Sequence, residues 1–197
     1  TLHLPRYRLS AVVADWLQAH EPEPEPASDI RQSAARYQRW VHDNLLHTLE
    51  QALNAHEALR QSGLDEEAAQ FALGVIVPHF DRIGLYHTLL KEWLPALRES
   101  QNQKLRADAL NRSGKTCVHV GQYDEAKPFL EESLAIRRAI GDRAGEGATL
   151  NNLSQIYHAR GDYETALRYL QESLTLYQAI GDRAGEGAAL NNLSQIY

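Results

Sequence analysis

The stretch Ala109–Thr116, which reads ALNRSGKT, is the part of the sequence that comes closest to a catalytic motif. It matches a phosphate-binding loop, except that Ala109 stands where the first glycine usually lies. Such a loop needs a buried strand before it and a helix that begins directly after it. Residues 98–108 are polar and charged and contain no run of β-formers, so they do not predict a buried strand. We therefore expect no nucleotide site here, and we expect Lys115 to face an acidic partner segment instead.

Cys117 and His119 are a second pair of residue types that could do chemistry, as a nucleophile and its base. On a helix, residues two apart point to different sides, so this pair is not expected to meet. Cys117 is the only cysteine, which excludes an intrachain disulfide and favours a reducing compartment. The histidines contain no i,i+4 pair and no accompanying cysteine cluster, as a zinc site would need. We expect no catalytic residue, no cofactor and no metal, and a protein that is not an enzyme.

Length and charge narrow the class of protein further. The chain has 197 residues, enough for one domain or two small ones, and its net charge of −6 argues against a nucleic-acid binder. No apolar run approaches the roughly 20 residues that cross a bilayer. The sequence also begins without a signal peptide, so we expect a cytoplasmic protein that binds no membrane. Because it contains no methionine and stops inside a repeat, we expect a fragment of a longer protein.

A repeat of 40 residues organises the second half of the chain. Ile140–Tyr157 and Ile180–Tyr197 are identical except that Ala189 replaces Thr149. Each unit predicts two helices, because apolar residues recur at intervals of three and four, and neither helix can bury its face alone. We expect Gly181 to end the second helix and Asp182 to cap the next one. The apolar positions of the two helices are Leu150, Leu153, Ile156 and Tyr157, then Tyr163, Ala166, Leu167, Leu170, Leu174 and Tyr177.

This pattern resembles the tetratricopeptide repeat, in which a leucine and a small residue precede an aromatic, a glycine turn, an aromatic and an alanine. Here these residues are Leu153, Ser154, Tyr157, Gly161, Tyr163 and Ala166. The period is longer than the usual 34 residues and is similar to that of kinesin light chains and bacterial regulators. The resemblance covers about residues 104–197 and implies an all-α fold, a right-handed α-solenoid of helical hairpins. Gly114 then takes the small-residue position of Ser154, where two helices approach closely.

Two helical segments are predicted before the repeats. Residues 64–99 read as a degenerate helical pair in which Pro78 should kink or break the first helix. Residues 29–63 predict one long helix, with Ser28 as its N-cap and Gly63 at its end. The apolar stripe of this helix consists of Ile30, Ala34, Tyr37, Val41, Leu45, Leu49 and Ala52.

Residues 1–28 predict a segment that is separate from the helices after it. Alternating proline in residues 21–28, EPEPEPAS, favours an extended linker, so residues 1–20 are expected to be the remnant of a preceding domain. Arg6–Leu17 resembles the last strand and helix of the winged-helix segment in STAND-type regulatory NTPases, with Ser10 where a histidine is usual. The stretch that begins at Ala35 resembles the helix that follows there. Residues 100–197 then form the repeat array, with the last repeat cut short.

A polar stripe on the first helices carries the candidate site. Asn151, Gln155 and His158 share a helix face that differs from the apolar one. We take Asn111, Lys115 and His119 as their counterparts in the preceding unit, and Asn191 and Gln195 in the following one. The resemblance implies that these helices line a concave groove, where LNNL asparagines of kinesin-light-chain-like members hold the backbone of a bound peptide. The corresponding residues here are Asn151, Asn152, Asn191 and Asn192.

The sequence leaves two kinds of function open. The first is a non-catalytic module that binds a protein or peptide ligand, as the sensor or partner-recognition part of a larger bacterial signalling STAND-type ATPase. The second is a structural or oligomerising spacer whose polar stripe only faces water. The cut-short last unit exposes an apolar helix face, which leaves self-association open.

Overall fold

The computed structural model describes residues 27–44 and 48–196, and within that part of the chain all regular structure is helical. Helical hairpins follow one another along the chain, and each helix packs mainly on its sequence neighbours. The fold is an all-α solenoid of hairpins, which confirms the predicted fold class. None of the described helices combines the length and the apolar character that crossing a membrane requires. Residues 1–26, which include the predicted remnant and most of the linker, lie outside the described residues.

The single long helix predicted for residues 29–63 is wrong, because the structure has two helices there. Helix α1 spans Ala27–Asn44 and helix α2 spans Leu49–Gln61. Thr48 caps α2, since its extended backbone lets the hydroxyl accept a hydrogen bond from the amide of Gln51 at 3.2 Å. The apolar period continues through this break, so periodicity alone could not reveal it.

Helices α1 and α2 pack against each other in opposite directions. The hydroxyl of Ser62, just after α2, donates to the carbonyl of Arg31 near the start of α1 at 3.0 Å. The predicted stripe on α1 is also displaced, because Ala34 is exposed whereas Ala35 and His42 are buried. Ala35 and His42 are seven residues apart, about two helical turns, so they lie on the same face of α1.

Residues 65–98 form a second hairpin, whose helices each contain a wide π-helical turn. The first helix runs through α3 (Asp65–Phe71), a π segment (Ala72–Ile76) and α4 (Val77–Arg82). The second runs through α5 (Tyr86–Thr88), a π segment (Leu89–Trp93) and α6 (Leu94–Arg98).

A proline lies in the first turn after each π segment, Pro78 after the first and Pro95 after the second. Proline has no N–H and crowds the preceding turn, and a wider turn relieves that crowding. The helix therefore continues through Pro78 with altered winding, where the sequence predicted a kink or a break.

The repeats follow as two complete hairpins and one further helix. Unit I consists of α7 (Gln103–His119) and α8 (Tyr123–Ile140). Unit II consists of α9 (Arg143–Ala159) and α10 (Tyr163–Ile180), and unit III begins with α11 (Arg183–Leu193).

The predicted caps between units are present. Gly181 ends α10 in the left-handed conformation with φ of 71°, which favours glycine, and Gly141 does the same for α8 with φ of 73°. The carboxylate of Asp182 accepts hydrogen bonds from the amides of Ala184 and Gly185 at 3.1 and 3.0 Å. The sequence therefore predicted where α10 ends and where α11 begins.

Buried serines hold the two helices of each unit together. The hydroxyl of Ser133 on α8 donates to the carbonyl of Ala107 on α7 at 2.8 Å. Forty residues later, Ser173 on α10 donates to the carbonyl of Gly147 on α9 at 2.9 Å. All of these groups are buried, so each hydrogen bond satisfies a hydroxyl that would otherwise be costly to bury.

Candidate functional site

Asparagine side chains join the first helices of successive units. Nδ2 of Asn152 on α9 donates to Oδ1 of Asn111 on α7 over 3.0 Å. Nδ2 of Asn192 on α11 donates to Oδ1 of Asn151 on α9 over 2.9 Å. All four residues are half-buried. We call these two bonded pairs the asparagine ladder.

The ladder follows from the motif LNNL and from the repeat period. Leu150 and Leu153 are fully buried, at 0% exposure, so the two asparagines between them lie toward the edge of the packed face. Asn151 is the counterpart of Asn111, and Asn152 lies one residue further along. The second asparagine of a unit therefore reaches back to the first asparagine of the preceding unit.

Arg112 occupies the position of Asn152 in unit I, and it also reaches back. Its Nη1 lies 3.4 Å from Oδ2 of Asp81 on α4, and Nζ of Lys115 lies 3.1 Å from the same oxygen. The side chain of Asp81 is only 14% exposed. These contacts tie unit I to the upstream hairpin, so Lys115 already has a carboxylate partner within the chain.

The assignment of His119 as the counterpart of His158 is wrong, because an offset of 40 residues from His158 falls on Val118. His119 turns instead toward Asp81, with its Nδ1 3.6 Å from Oδ1 of that carboxylate. Burial lowers the pKa of His119, the Lys115 ammonium lowers it further, and Asp81 acts in the opposite direction. His119 therefore belongs to the charge cluster around Asp81.

The remaining predicted residues do not gather into one site. Gln155 is half-buried, and within the described residues its side chain has no hydrogen-bond partner. The ring of His158 lies 5.5 Å from that of Tyr163. Asn191 and Gln195 are exposed, and Gln195 lies beyond the end of α11. The asparagine ladder is thus the part of the predicted stripe that the fold brings together.

Each pair of the ladder leaves three N–H groups and the oxygen of its donating asparagine unused. An amide side chain has two N–H groups and an oxygen that can accept. Within the described residues, Nδ2 of Asn111 and of Asn151 donates to no other group, and Oδ1 of Asn152 and of Asn192 accepts from none. Each pair can therefore both donate and accept hydrogen bonds, which is what the carbonyl and N–H groups of a peptide backbone require.

The ALNRSGKT stretch lies wholly inside α7, where no loop can wrap a phosphate. Gly114 packs directly on α8: a Cβ at this position would lie 2.4 Å from Cγ of Leu130. Close approach of the two helices is thus the reason for this glycine, as its register predicted. Cys117 is buried at 1% exposure, and this burial raises the pKa of its thiol, so the thiolate is disfavoured.

The packing of Tyr177 against glycines of two helices was not predicted from the sequence. Its ring lies between Gly147 on α9 and Gly185 on α11, where added Cβ atoms would lie 2.9 and 2.2 Å from ring atoms. The side chain is buried, and burial raises the pKa of its phenol. The available signal was the glycines of the two GDRAGEG stretches, because Gly147 of the first and Gly185 of the second each lack a side chain where the ring lies.

Arg137 takes the place of Tyr177 in unit I. It is 4% exposed, and Nη1 donates to Asp142 at 2.5 Å while Nη2 donates to Asp108 at 2.6 Å. A Cβ on Gly145 would lie 1.5 Å from Nη1, so that glycine makes room for the guanidinium. Fork-shaped pairing of this kind satisfies a buried arginine.

A cavity of about 540 Å³ lies away from the ladder, between α2, α3 and the second π segment. Trp93 and Leu97 form its apolar side, and the ring of His56 lies 5.0 Å from that of Trp93. Burial lowers the pKa of His56, and Arg60 lowers it further. None of the predicted site residues lines this cavity.

Stacked hairpins with paired polar residues on their first helices define a helical-repeat protein. Residues 105–179 match the family model for the tetratricopeptide repeat. This match and the all-α hairpin fold support a tetratricopeptide repeat protein, and such repeats suggest interaction with other proteins. A search of curated proteins found no match to this chain.

Proposed function

We propose that the chain is a non-catalytic module that binds an extended peptide segment of a partner protein along the asparagine ladder. The ladder carries the proposal, because its successive pairs present the same unused groups, which are amide N–H groups and one amide oxygen. The backbone of an extended peptide offers the complementary groups at regular intervals. The 40-residue units with LNNL asparagines also resemble the kinesin-light-chain type of tetratricopeptide repeat.

The ladder suits this role because its hydrogen bonds fix the orientation of the asparagine side chains. Asn151 accepts from Asn192 through Oδ1, which directs the remaining N–H groups of Asn151 away from that contact. A side chain held by one hydrogen bond loses less conformational freedom when it makes the next one. The ladder therefore presents a partly preorganised row of backbone-binding groups.

The test removes the outward donors but keeps the ladder. In the double variant Asn111→Asp with Asn151→Asp, one carboxylate oxygen still accepts from the neighbouring asparagine, while the free Nδ2 is replaced by an acceptor. Peptides selected from a random display library on the unaltered chain should bind this variant at least about tenfold more weakly, since hydrogen bonds are lost and acceptors face carbonyl groups.

Asn54→Asp is the matched control, because Asn54 is exposed on α2, away from the ladder. It introduces the same charge and should leave peptide binding unchanged. Equal binding to the unaltered chain and to the double variant would sink the proposed peptide site, and selection of no peptide at all would also count against it.

The wider context is proposed from sequence resemblance. We place the module in the cytoplasm, as the sensor or partner-recognition segment of a larger bacterial signalling STAND-type ATPase. The support is the winged-helix-like Arg6–Leu17 stretch, followed in order by a linker, helical hairpins and repeats. The gene that encodes this chain should then carry an NTPase domain upstream, and a gene without one would contradict this context.

A structural or oligomerising spacer is the alternative function, and the exposed apolar side of α11 favours it. Leu190 is 47% exposed there. A spacer would self-associate with increasing concentration, and the double variant Asn111→Asp with Asn151→Asp would leave all its contacts intact. Sedimentation velocity over a range of concentrations separates this function from peptide binding.

A further inference from the structure

The cavity of about 540 Å³ beside Trp93 has the size of a small-molecule site. Three alanines line it, Ala68 and Ala69 on α3 and Ala96 on α6, at positions where longer side chains would fill the space. Ala68 is buried, Ala69 is half-buried and Ala96 is exposed, so the cavity reaches from the core to the surface. The two upstream hairpins therefore leave an accessible space between them.

The aromatic wall of this cavity is held in place from behind. Trp93 is the last residue of the second π segment, and π-helical turns are rare and frequent at functional sites. Its ring meets the buried ring of Phe80 edge to face at 5.8 Å, and the ring of His56 lies 5.0 Å away. Leu97 continues the apolar wall. A flat apolar ligand would thus meet a fixed aromatic surface.

The polar side of the cavity is acidic. It is lined by the carboxylates of Glu57, Asp65 and Glu92, and Arg60 is the one Lys or Arg among the described lining residues, which leaves a net charge of −2. Within the described part of the chain, Arg60 forms no ion pair with any of these carboxylates. Burial lowers the pKa of His56, so its ring adds no charge near neutral pH. A cleft with this charge attracts cations.

We propose that this cavity binds a small organic cation with a flat apolar body, of the aromatic-amine class. The apolar body would lie against Trp93 and Leu97, and the ammonium group would lie among the carboxylates. Tryptophan is also the side chain whose ring attracts cations most strongly. An aromatic carboxylate of the same size would be repelled by the same charges. The site is separate from the asparagine ladder and does not depend on the peptide binding proposed above.

The test compares tryptamine with indole-3-propionate, which have the same ring and a side chain of similar length but opposite charges. Each is titrated into the full 197-residue chain. NMR shifts of the Trp93 indole N–H and of the Ala69 amide report binding at the cavity. Tryptamine should bind saturably with a Kd of about 1 mM or tighter, and at least about tenfold more tightly than indole-3-propionate.

A charge variant tests the acidic side. Asp65→Asn with Glu92→Gln removes two of the three lining carboxylates. It should weaken tryptamine binding about threefold or more and strengthen the binding of indole-3-propionate, whereas a damaged fold would weaken both. Glu125→Gln with Glu164→Gln is the matched control, since it removes two exposed carboxylates from α8 and α10 and should change neither affinity.

A second variant fills the cavity. Ala96→Leu adds an apolar side chain at an exposed position of the lining and should weaken tryptamine binding at least about tenfold. Ala135→Leu makes the same replacement at an exposed position of α8 and should bind tryptamine normally. Thermal unfolding of Ala96→Leu verifies that its loss of binding is not a loss of fold.

Three outcomes would overturn the proposal. The first is that tryptamine causes no saturable shifts of the Trp93 and Ala69 resonances. The second is that indole-3-propionate binds as tightly as tryptamine, because the carboxylates would then select no cation. The third is that both the charge variant and Ala96→Leu bind tryptamine as the unaltered chain does, because the amine would then bind elsewhere.

Discussion

Asn192 on α11 donates its Nδ2 to Oδ1 of Asn151 on α9 over 2.9 Å, and Asn152 bonds Asn111 in the same way one unit earlier. The bonds span 41 residues of sequence, one more than the repeat period. Units II and III therefore use their second asparagine to hold the preceding unit, and the first asparagine of that preceding unit keeps its N–H groups for other partners. The motif that joins the units is thus also the one for which we propose peptide binding.

The ladder is expected to stabilise the stack modestly. Asn152→Ala removes the donor to Asn111 and should lower the free energy of unfolding by about 0.5–1.5 kcal/mol, less whatever helix propensity the alanine adds. Asn54→Ala makes the same replacement at an exposed position of α2 without losing such a bond. Urea unfolding of both variants measures the difference, and equal stabilities would contradict a stabilising role for the ladder.

The connector glycines should respond in opposite directions to the same substitution. Gly147→Ala should destabilise the chain by about 1–3 kcal/mol, because its Cβ would press on a Tyr177 ring that Gly185 confines from the other side. Gly187→Ala, its counterpart in unit III, has open space and should stabilise by up to about 1 kcal/mol through helix propensity. Thermal unfolding of the pair tests this, and shifts of the same sign would refute it.

The charge cluster around Asp81 should hold the upstream hairpin to unit I. Asp81→Asn leaves Arg112 and Lys115 as neighbouring cations without their shared carboxylate, and should cost about 1–3 kcal/mol of stability. Asp124→Asn removes a carboxylate of similar pairing that is 98% exposed, and should change stability little. Guanidinium chloride would screen both pairs, so urea is the suitable denaturant.

Stability should fall on acidification because of His56 and His119. Burial lowers the pKa of both imidazoles below the ordinary value of 6.5 in the folded chain. The unfolded chain therefore binds protons first, so the free energy of unfolding is fully present above about pH 7 and decreases as the pH falls through about 6.5. Urea midpoints at pH values near 7.5 and 5.5 measure this loss.

His119→Gln should reduce the loss of stability on acidification, because it removes one of the two imidazoles that take up a proton more readily in the unfolded chain. NMR titration of the His119 ring should also show a midpoint below that of a free histidine. A urea midpoint that rises on acidification would have the wrong sign for both residues.

The repeat hairpins were predictable because the residues that end and cap their helices act on nearby backbone groups. Gly181 needs only a left-handed backbone and Asp182 only nearby amides, so their roles follow from residue type and position. Gly114 was likewise predictable once the 40-residue register was known. The break at Thr48 was missed, since the apolar period continues across it and only the Thr48 cap marks it.

Sequence by itself therefore determined the repeat helices, the caps at Gly181 and Asp182 and the face on which the asparagines lie, since these depend on the backbone and its periodicity. Tertiary structure alone decided the partners: Asn192 bonds Asn151, Lys115 is paired with Asp81, and Tyr177 lies between two glycines. Such pairings depend on the distance and rotation between helices, and many side chains set these together through close packing. No single motif encodes them.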